Sequence, residues 1–211
     1  QKAVAKMEVI IGDPDRLRAV AEDFIKHYET RVTEGATVAG KAMFVCSNRN
    51  IAYDFYKIVK ELRPEWTEKK ICDDGVVLSE KDKKELKPME KIKLVMTRNK
   101  DDEKDLFDML GTKEDRKEFD RQFKNPKSNF KIAIVVDMWL TGFDVPELDT
   151  IYIDKPIQQH TLIQTISRVN RVCEGKDKGL IVDYIGIKKN MNTALKKYTN
   201  FESEEFEGVE Q

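Results

Sequence analysis

Cysteine is scarce and badly placed for chemistry. Cys46, Cys72 and Cys173 are the only three in 211 residues. They are far apart, odd in number and in no ligand spacing, which argues against a zinc site or a disulfide framework and for a reducing compartment. No apolar run approaches the roughly 18 residues that a membrane span needs, and no signal peptide is visible. A soluble, cytoplasmic chain without a membrane partner is the expectation. Charge of one sign is missing too: 38 Lys and Arg stand against 39 Asp and Glu, for a net charge of −1. There is thus no global nucleic-acid signature, and any anion binding has to come from local patches.

What is present suffices for a sizeable core, because 40% of the residues are hydrophobic. The chain starts with Gln and stops inside a charged run, so it is expected to be a fragment of something longer. Residues 1–12 give no firm assignment. From 14 to 32 the pattern is helical, with Asp13 suited to the N-cap and Pro14 to the first turn. "KAMFVCS", "IKLVMT", "FKIAIVVD", "TIYID" and "GLIVDYIG" are short apolar runs that fit buried strands. Between them, "NRNIAYDFYKIVKELRPEW" is helical and stops near Leu62 because of Pro64. "KEDRKEFDRQFKN" is amphipathic, with Phe119 and Phe123 at i, i+4. "HTLIQTISRVNRV" and "KKNMNTALKKYTN" read as further helices. "RNKDDEKDLFDMLG" reads as a polar connection, residues 67–91 as a charged surface excursion, and "FESEEFEGVEQ" as an acidic tail. Alternation of apolar strands and helices implies an α/β fold, a parallel sheet of about five to six strands with helices on both faces. In such sheets ligands gather beyond the carboxyl ends of the strands.

Two more things are lacking. "GATVAGKA" matches G-x-x-x-x-G-K, but Ala42 stands where a phosphate loop needs Ser or Thr for magnesium. The loop also follows a helix and opens a strand, so no helix N-terminus would face the phosphates. Lys41 is expected to be an ordinary solvated lysine. "DDEK", 101–104, has the composition of an acidic magnesium box but no apolar strand before it, and reads as a solvated charge run. The chain is therefore expected to lack a nucleotide cradle and a metal site of its own.

The feature that demands an explanation is "LIQTISRVNRV". Gln164, Arg168 and Arg171 are spaced i, i+4, i+7 and on a helix fall within an arc of roughly 60°. Leu162, Ile166 and Val169 form the opposite, buried stripe. No acidic partner accompanies the arginines. A salt-bridged or solvated face is the ordinary reading, but paired arginines without local carboxylates also suit planar phosphate recognition. Ahead of them, "DMWLTGFDVPELDTIYIDKP" leaves the central strand. Gly142 permits an unusual backbone angle or the close approach of a partner, and Asp144 can cap backbone N–H groups or organise a nucleotide edge. A plain turn fits those residues as well. Ser47, Asn48 and Arg49 open the helix after the first strand and suit a DNA phosphate, with N-capping by Ser47 or Asn48 an equal alternative. Thr97 and Arg98 end the next strand.

"G-F-D-V-P" followed about twenty residues later by "Q-x-x-x-R-x-x-R" resembles motifs V and VI of superfamily 2 helicases, in their second RecA-like domain. "KAMFVCSNRNIAYDFYKIV" is similar to motif IV. "DMWLTGFDVPELDTIYIDKP", "QTISRVNRV" and "GLIVDYIG" together resemble the R (restriction) subunit of type I restriction-modification enzymes, over about 41–186. The resemblance implies a P-loop-NTPase-type, RecA-like second motor domain at 41–187. A helical lead-in from the preceding motor domain would occupy 1–40, and a helix and acidic tail 188–211.

By that resemblance Arg171 is the arginine finger, and such a group is worth about 10³ to 10⁵ in rate. Arg168 contacts the γ-phosphate or positions the finger, and Gln164 senses the nucleotide or couples the domains. Gly142 and Asp144 belong to the ATP-side loop. Ser47, Asn48, Arg49, Thr97, Arg98 and Thr141 lie along DNA. ATP and Mg2+ would be held mainly by the first RecA-like domain of the same chain. The implied partners are double-stranded DNA and the methyltransferase and specificity subunits, in a bacterial or archaeal cytoplasm. The implied activity is ATP-dependent translocation before cleavage, with the fragment itself inactive. Two departures stand out. Val136 occupies a position where many superfamily 2 proteins carry threonine, leaving Thr141 as the replacement hydroxyl, and Ser167 replaces a glycine. The rival readings are another superfamily 2 helicase or translocase, and a non-catalytic RecA-like binding module.

Overall fold

The computed structural model describes residues 2–176 and 178–186, the side chains of 2–6 and 159 excepted. The helix and tail expected beyond 187 lie outside the described residues. The order is α1 (Lys2–Ile11), α2 (Pro14–Thr33), β1 (Lys41–Cys46), α3 (Arg49–Leu62), α4 (Glu80–Glu85), β2 (Ile92–Val95), α5 (Lys104–Leu110), α6 (Lys113–Lys124), β3 (Ile132–Val135), β4 (Leu148–Asp154), α7 (Gln159–Val169) and β5 (Leu180–Asp183). The strands form one five-stranded sheet in the order β2-β3-β1-β4-β5. Every pairing is parallel, with Phe44 opposite Ile134 on one side and Tyr152 on the other.

The strands form where the apolar runs are, because both faces of a covered parallel sheet are dry. Alternate side chains of β1 enter two different cores. Ala42, Phe44 and Cys46 join Phe24, Tyr28, Phe55, Val59 and Trp66 from α2, α3 and the turn after it. Met43 and Val45 join Phe123 from α6, Leu162 and Val169 from α7, and Leu140 and Phe143 from the β3–β4 loop. Phe44 and Phe55 stack at 3.9 Å, and burial of each such ring contributes about 1.5–3 kcal/mol. The segment expected as a lead-in thus supplies α2, whose Leu17, Phe24 and Ile25 are core residues.

Local signals explain the boundaries. Asp13 caps α2 by accepting from the Arg16 amide at 3.0 Å, and Asn48 caps α3 by accepting from Ile51 at 3.0 Å. A reciprocal Thr112–Asp115 capping box opens α6. The polar connection expected before α6 contains α5, whose Leu106 and Leu110 are buried. The excursion of 67–91 is pinned at both ends: Lys70 and Met89 form an antiparallel bridge, and Leu86 and Met89 are buried. Lys41 is not solvated. It is 1% exposed, its Nζ donates to the Phe130 carbonyl at 2.5 Å, and it lies over the Phe123 ring. Burial, then nearby Lys131, holds its amine well below the ordinary value.

Candidate functional site

The residues singled out from sequence fall into two groups on opposite edges of the sheet. The first group occupies the carboxyl ends of β1 and β2. A cavity of about 370 Å³ opens there, lined by Arg49, Thr97, Val136, Asp137 and Met138, among others. Asn48 is spent on capping α3. Ser47 is not a cap; its Oγ donates to the Asp154 carbonyl at 3.0 Å and ties the end of β1 to the end of β4. Arg49 donates to the Thr97 carbonyl at 2.5 Å and to both carboxylate oxygens of Asp102 at 2.7 Å. "DDEK" is therefore not simply a solvated run. The Asp102 side chain is only 8% exposed; burial opposes its ionisation, but the Asn99 amide and Arg49 hold its carboxyl below the usual range. Arg98 lays its guanidinium over Phe107 at 4.2 Å, and Thr97 is exposed.

The second group lies at the far end of α7. A strand–helix–strand crossover sends α7 back from the carboxyl edge toward the start of β5. A Cβ built on Gly179 would sit 2.2 Å from the Val169 carbonyl, so the helix end and the β5 entry touch. Lys176 closes the same corner, with Nζ 2.8 Å from the carbonyls of Pro146 and Leu148. The helix stops at Val169 with Asn170 as its C-cap. Arg171 is thus beyond the helix, and the expected three-residue face holds only for Gln164 and Arg168. Leu162 and Val169 are buried as expected, with Ile166 partly so.

Nor does Arg171 lack an acidic partner. Arg171 Nη1 pairs with Asp144 Oδ2, both side chains being about half exposed, at 51% and 48%. The sequence hid this pair because the partners are 27 positions apart in separate elements. Arg168 Nη1 donates to the Phe143 carbonyl at 2.8 Å, while its buried Nε has no hydrogen-bond partner among the described residues. Gln164 Nε2 lies 3.0 Å from His160 Nε2. Gly142 has φ +70° and nothing within 4 Å of a built Cβ. It serves the backbone angle rather than a close approach in this state. Thr141 is exposed beside it.

The loop from Val136 to Glu147 joins the two groups. It leaves the carboxyl end of β3, crosses the sheet face, and enters the amino end of β4 past Phe143 and Asp144. At its start Lys155 donates to the Val136 carbonyl at 2.9 Å and pairs with Asp137. Sequence reasoning did not single out Asp102, Trp139 or Phe143, although the last two sit inside the quoted "DMWLTGFDVP" block. Among the described residues, no cluster of His, Cys, Asp or Glu could hold a metal ion, and no helix is long and apolar enough to cross a membrane.

A five-stranded parallel sheet with helices on both faces, and an arginine-bearing helix against the β3–β4 loop, define a RecA-like α/β domain. The family model described as type I restriction enzyme subunit R domain 3 matches residues 38–186. The chain belongs to that family and is a domain of a type I restriction enzyme R subunit. It is 38% identical over 196 residues to the type I restriction enzyme HindI endonuclease subunit of Haemophilus influenzae, covering 92% of this chain and 17% of that protein. It is also 38% identical over 201 residues to the endonuclease subunit assigned to type I restriction enzyme MjaIXP of Methanocaldococcus jannaschii, covering 95% of this chain and 17% of that one. The chain thus spans about a sixth of these relatives' length. A solved fragment of an HsdR-type subunit of a type I restriction enzyme from Vibrio vulnificus YJ016 has the same fold. It superposes with a TM-score of 0.58 at 14% identity, over 88% of this chain and 30% of that one.

Proposed function

We propose that the chain is the second of two RecA-like motor domains in a type I restriction R subunit, with the domain proper at 41–187. It completes an ATP site whose phosphate loop and magnesium carboxylates belong to the first motor domain, and it grips duplex DNA for translocation before cleavage elsewhere in the subunit. The observation that carries this reading is the state of the two arginines. Arg168 keeps a buried Nε with no partner among the described residues, and Arg171 stands half exposed on a pair with Asp144 that solvent can open. A guanidinium edge kept dry and unpaired is costly unless an acceptor arrives, and a phosphate supplies one.

The parts divide by edge. Arg171 turns from Asp144 to the γ-phosphate and offsets the charge of the transferring phosphoryl group, as an arginine finger does. Arg168 holds Phe143 with one nitrogen and offers the other side to nucleotide, and Gln164 reports its presence along α7. Gly142 and Asp144 shape the loop. At the carboxyl edge Ser47, Asn48, Arg49, Thr97 and Arg98 form the DNA track, continued by Thr141 on the β3–β4 loop. The exposed Thr97 and Thr141 offer hydroxyls to backbone phosphates. Arg49 and Arg98 offer guanidinium groups, and Ser47 and Asn48, held by their own hydrogen bonds, shape the edge. ATP would meet its cationic half here, at Arg168 and Arg171, while Mg2+ would be held mainly by the first motor domain. The methyltransferase and specificity subunits are the expected partners in the complex, and the setting is the cytoplasm.

Arg171→Ala in the complete subunit tests the reading. DNA-stimulated ATP turnover is expected to fall by about 10³-fold or more, with an unchanged circular dichroism spectrum. Unchanged turnover would mean that the Arg171–Asp144 pair is merely structural, as in a non-catalytic RecA-like module.

A further inference from the structure

Among the described residues, Trp139 is the one non-glycine residue with a positive φ, at 69°. A bulky side chain in that region is an outlier that its surroundings must hold in place. The hold is visible. The Trp139 indole lies flat on the Phe143 ring, with centroids 4.1 Å apart and planes 3° from parallel. Phe123 supports the indole at 5.3 Å. Phe143 is further fixed by the Lys124 ammonium, 4.9 Å from its centroid, and is only 6% exposed.

Both arginines meet the loop at Phe143 and Asp144. Its carbonyl receives Arg168 at 2.8 Å, and the next residue, Asp144, pairs with Arg171. At the other end of the loop, Trp139 follows Met138, which lines the carboxyl-edge cavity with Arg49 and Thr97. The stack thus sits within the loop that runs from one edge to the other. It also spans Gly142, whose own φ of +70° leaves the chain between the two rings without a stiffening side chain.

We propose that Trp139 is a positioning residue of the motor: its stack on Phe143 fixes the backbone at Phe143 and Asp144, and through it the guanidinium groups of Arg168 and Arg171 relative to a nucleotide phosphate. The inference rests on the motor-domain reading. Trp139 touches no reacting atom; losing the stack lets the loop relax from its strained angle and misplaces two groups whose action depends on geometry.

The test uses the complete R subunit with ATP and duplex DNA, comparing Trp139→Ala, Trp139→Leu and Trp139→Phe with Arg171→Ala. Trp139→Leu keeps apolar bulk without a planar ring and stands in for the alanine variant should that fail to fold. Loss of the stack is expected to lower kcat about ten-fold or more with KM for ATP nearly unchanged, and Trp139→Phe is expected to restore most of it. Wild-type kcat in Trp139→Leu beside an inactive Arg171→Ala would overturn this inference and leave the motor reading standing. A loss in kcat that Phe does not rescue, or a matching rise in KM, would also overturn it by making the effect general destabilisation. Activity in Arg171→Ala would instead overturn the motor reading.

Discussion

The ion pair between Arg16 and Asp154 makes an asymmetric prediction. Asp154 ends β4 and its side chain is 0% exposed, while that of Arg16 is 24% exposed. The guanidinium reaches both carboxylate oxygens, at 3.1 and 2.5 Å. It also reaches the carbonyls of Ile11 at 3.0 Å and Tyr184 at 3.3 Å. One side chain thus joins the end of α1 to the ends of β4 and β5. Arg16→Ala strands a fully buried carboxylate, and breaking a buried pair in that way costs about 3–5 kcal/mol. Asp154→Ala leaves a partly solvated guanidinium with two carbonyl acceptors, so its cost is nearer the 1–3 kcal/mol range of an unsatisfied group. The double variant should be more stable than the sum of the single losses implies, since neither charge is then orphaned. Urea unfolding of the 211-residue chain measures this. At a slope of about 2 kcal/mol per molar, the Arg16→Ala midpoint should fall by roughly 2 M. Equal losses in the two single variants, or a larger loss in Asp154→Ala, would refute the burial argument.

Lys41 carries a pH signature. Its folded pKa is depressed by burial, so below the unfolded value of about 10.4 the unfolded chain takes up a proton that the folded chain refuses. Its neutral burial therefore favours the folded state at high pH, and that contribution is lost as pH falls toward the folded pKa. Stability relative to Lys41→Met should rise with pH across this window, by at most about 1.4 kcal/mol per unit; parallel curves in urea unfolding would contradict it. Asp102 neutralises Arg49 at the proposed DNA edge. Asp102→Asn in the complete subunit should tighten duplex binding and steepen the dependence of log K on log salt by roughly 0.9. An unchanged salt slope would remove Arg49 from the DNA track.

The sheet was legible because a parallel strand covered on both faces leaves a continuous apolar run, as in "KAMFVC" and "KIAIVV". The helices with strong caps, α2, α3 and α6, were legible for equally local reasons. α5 was missed because its N-cap, Glu103, makes no side-chain capping bond and the helix is only seven residues long, following a charged run, although Leu106 and Leu110 at i, i+4 gave a signal. The end of α7 was overrun because the arginine periodicity continues past Asn170 while the helix does not. The partners of Arg49, Arg171 and Lys41 come from other elements, and no local pattern announces contacts made across the fold. Arg168 is visible in sequence as a residue, but that its Nε has no hydrogen-bond partner among the described residues is visible only as geometry.

The central claim is that this chain supplies arginines to an ATP site that it cannot form alone. ATP turnover by the 211-residue chain, with and without duplex DNA, tests it most directly. The account predicts no turnover above background in either condition. Turnover stimulated by duplex DNA would contradict it, because phosphate binding and magnesium would then have to come from residues within this one domain.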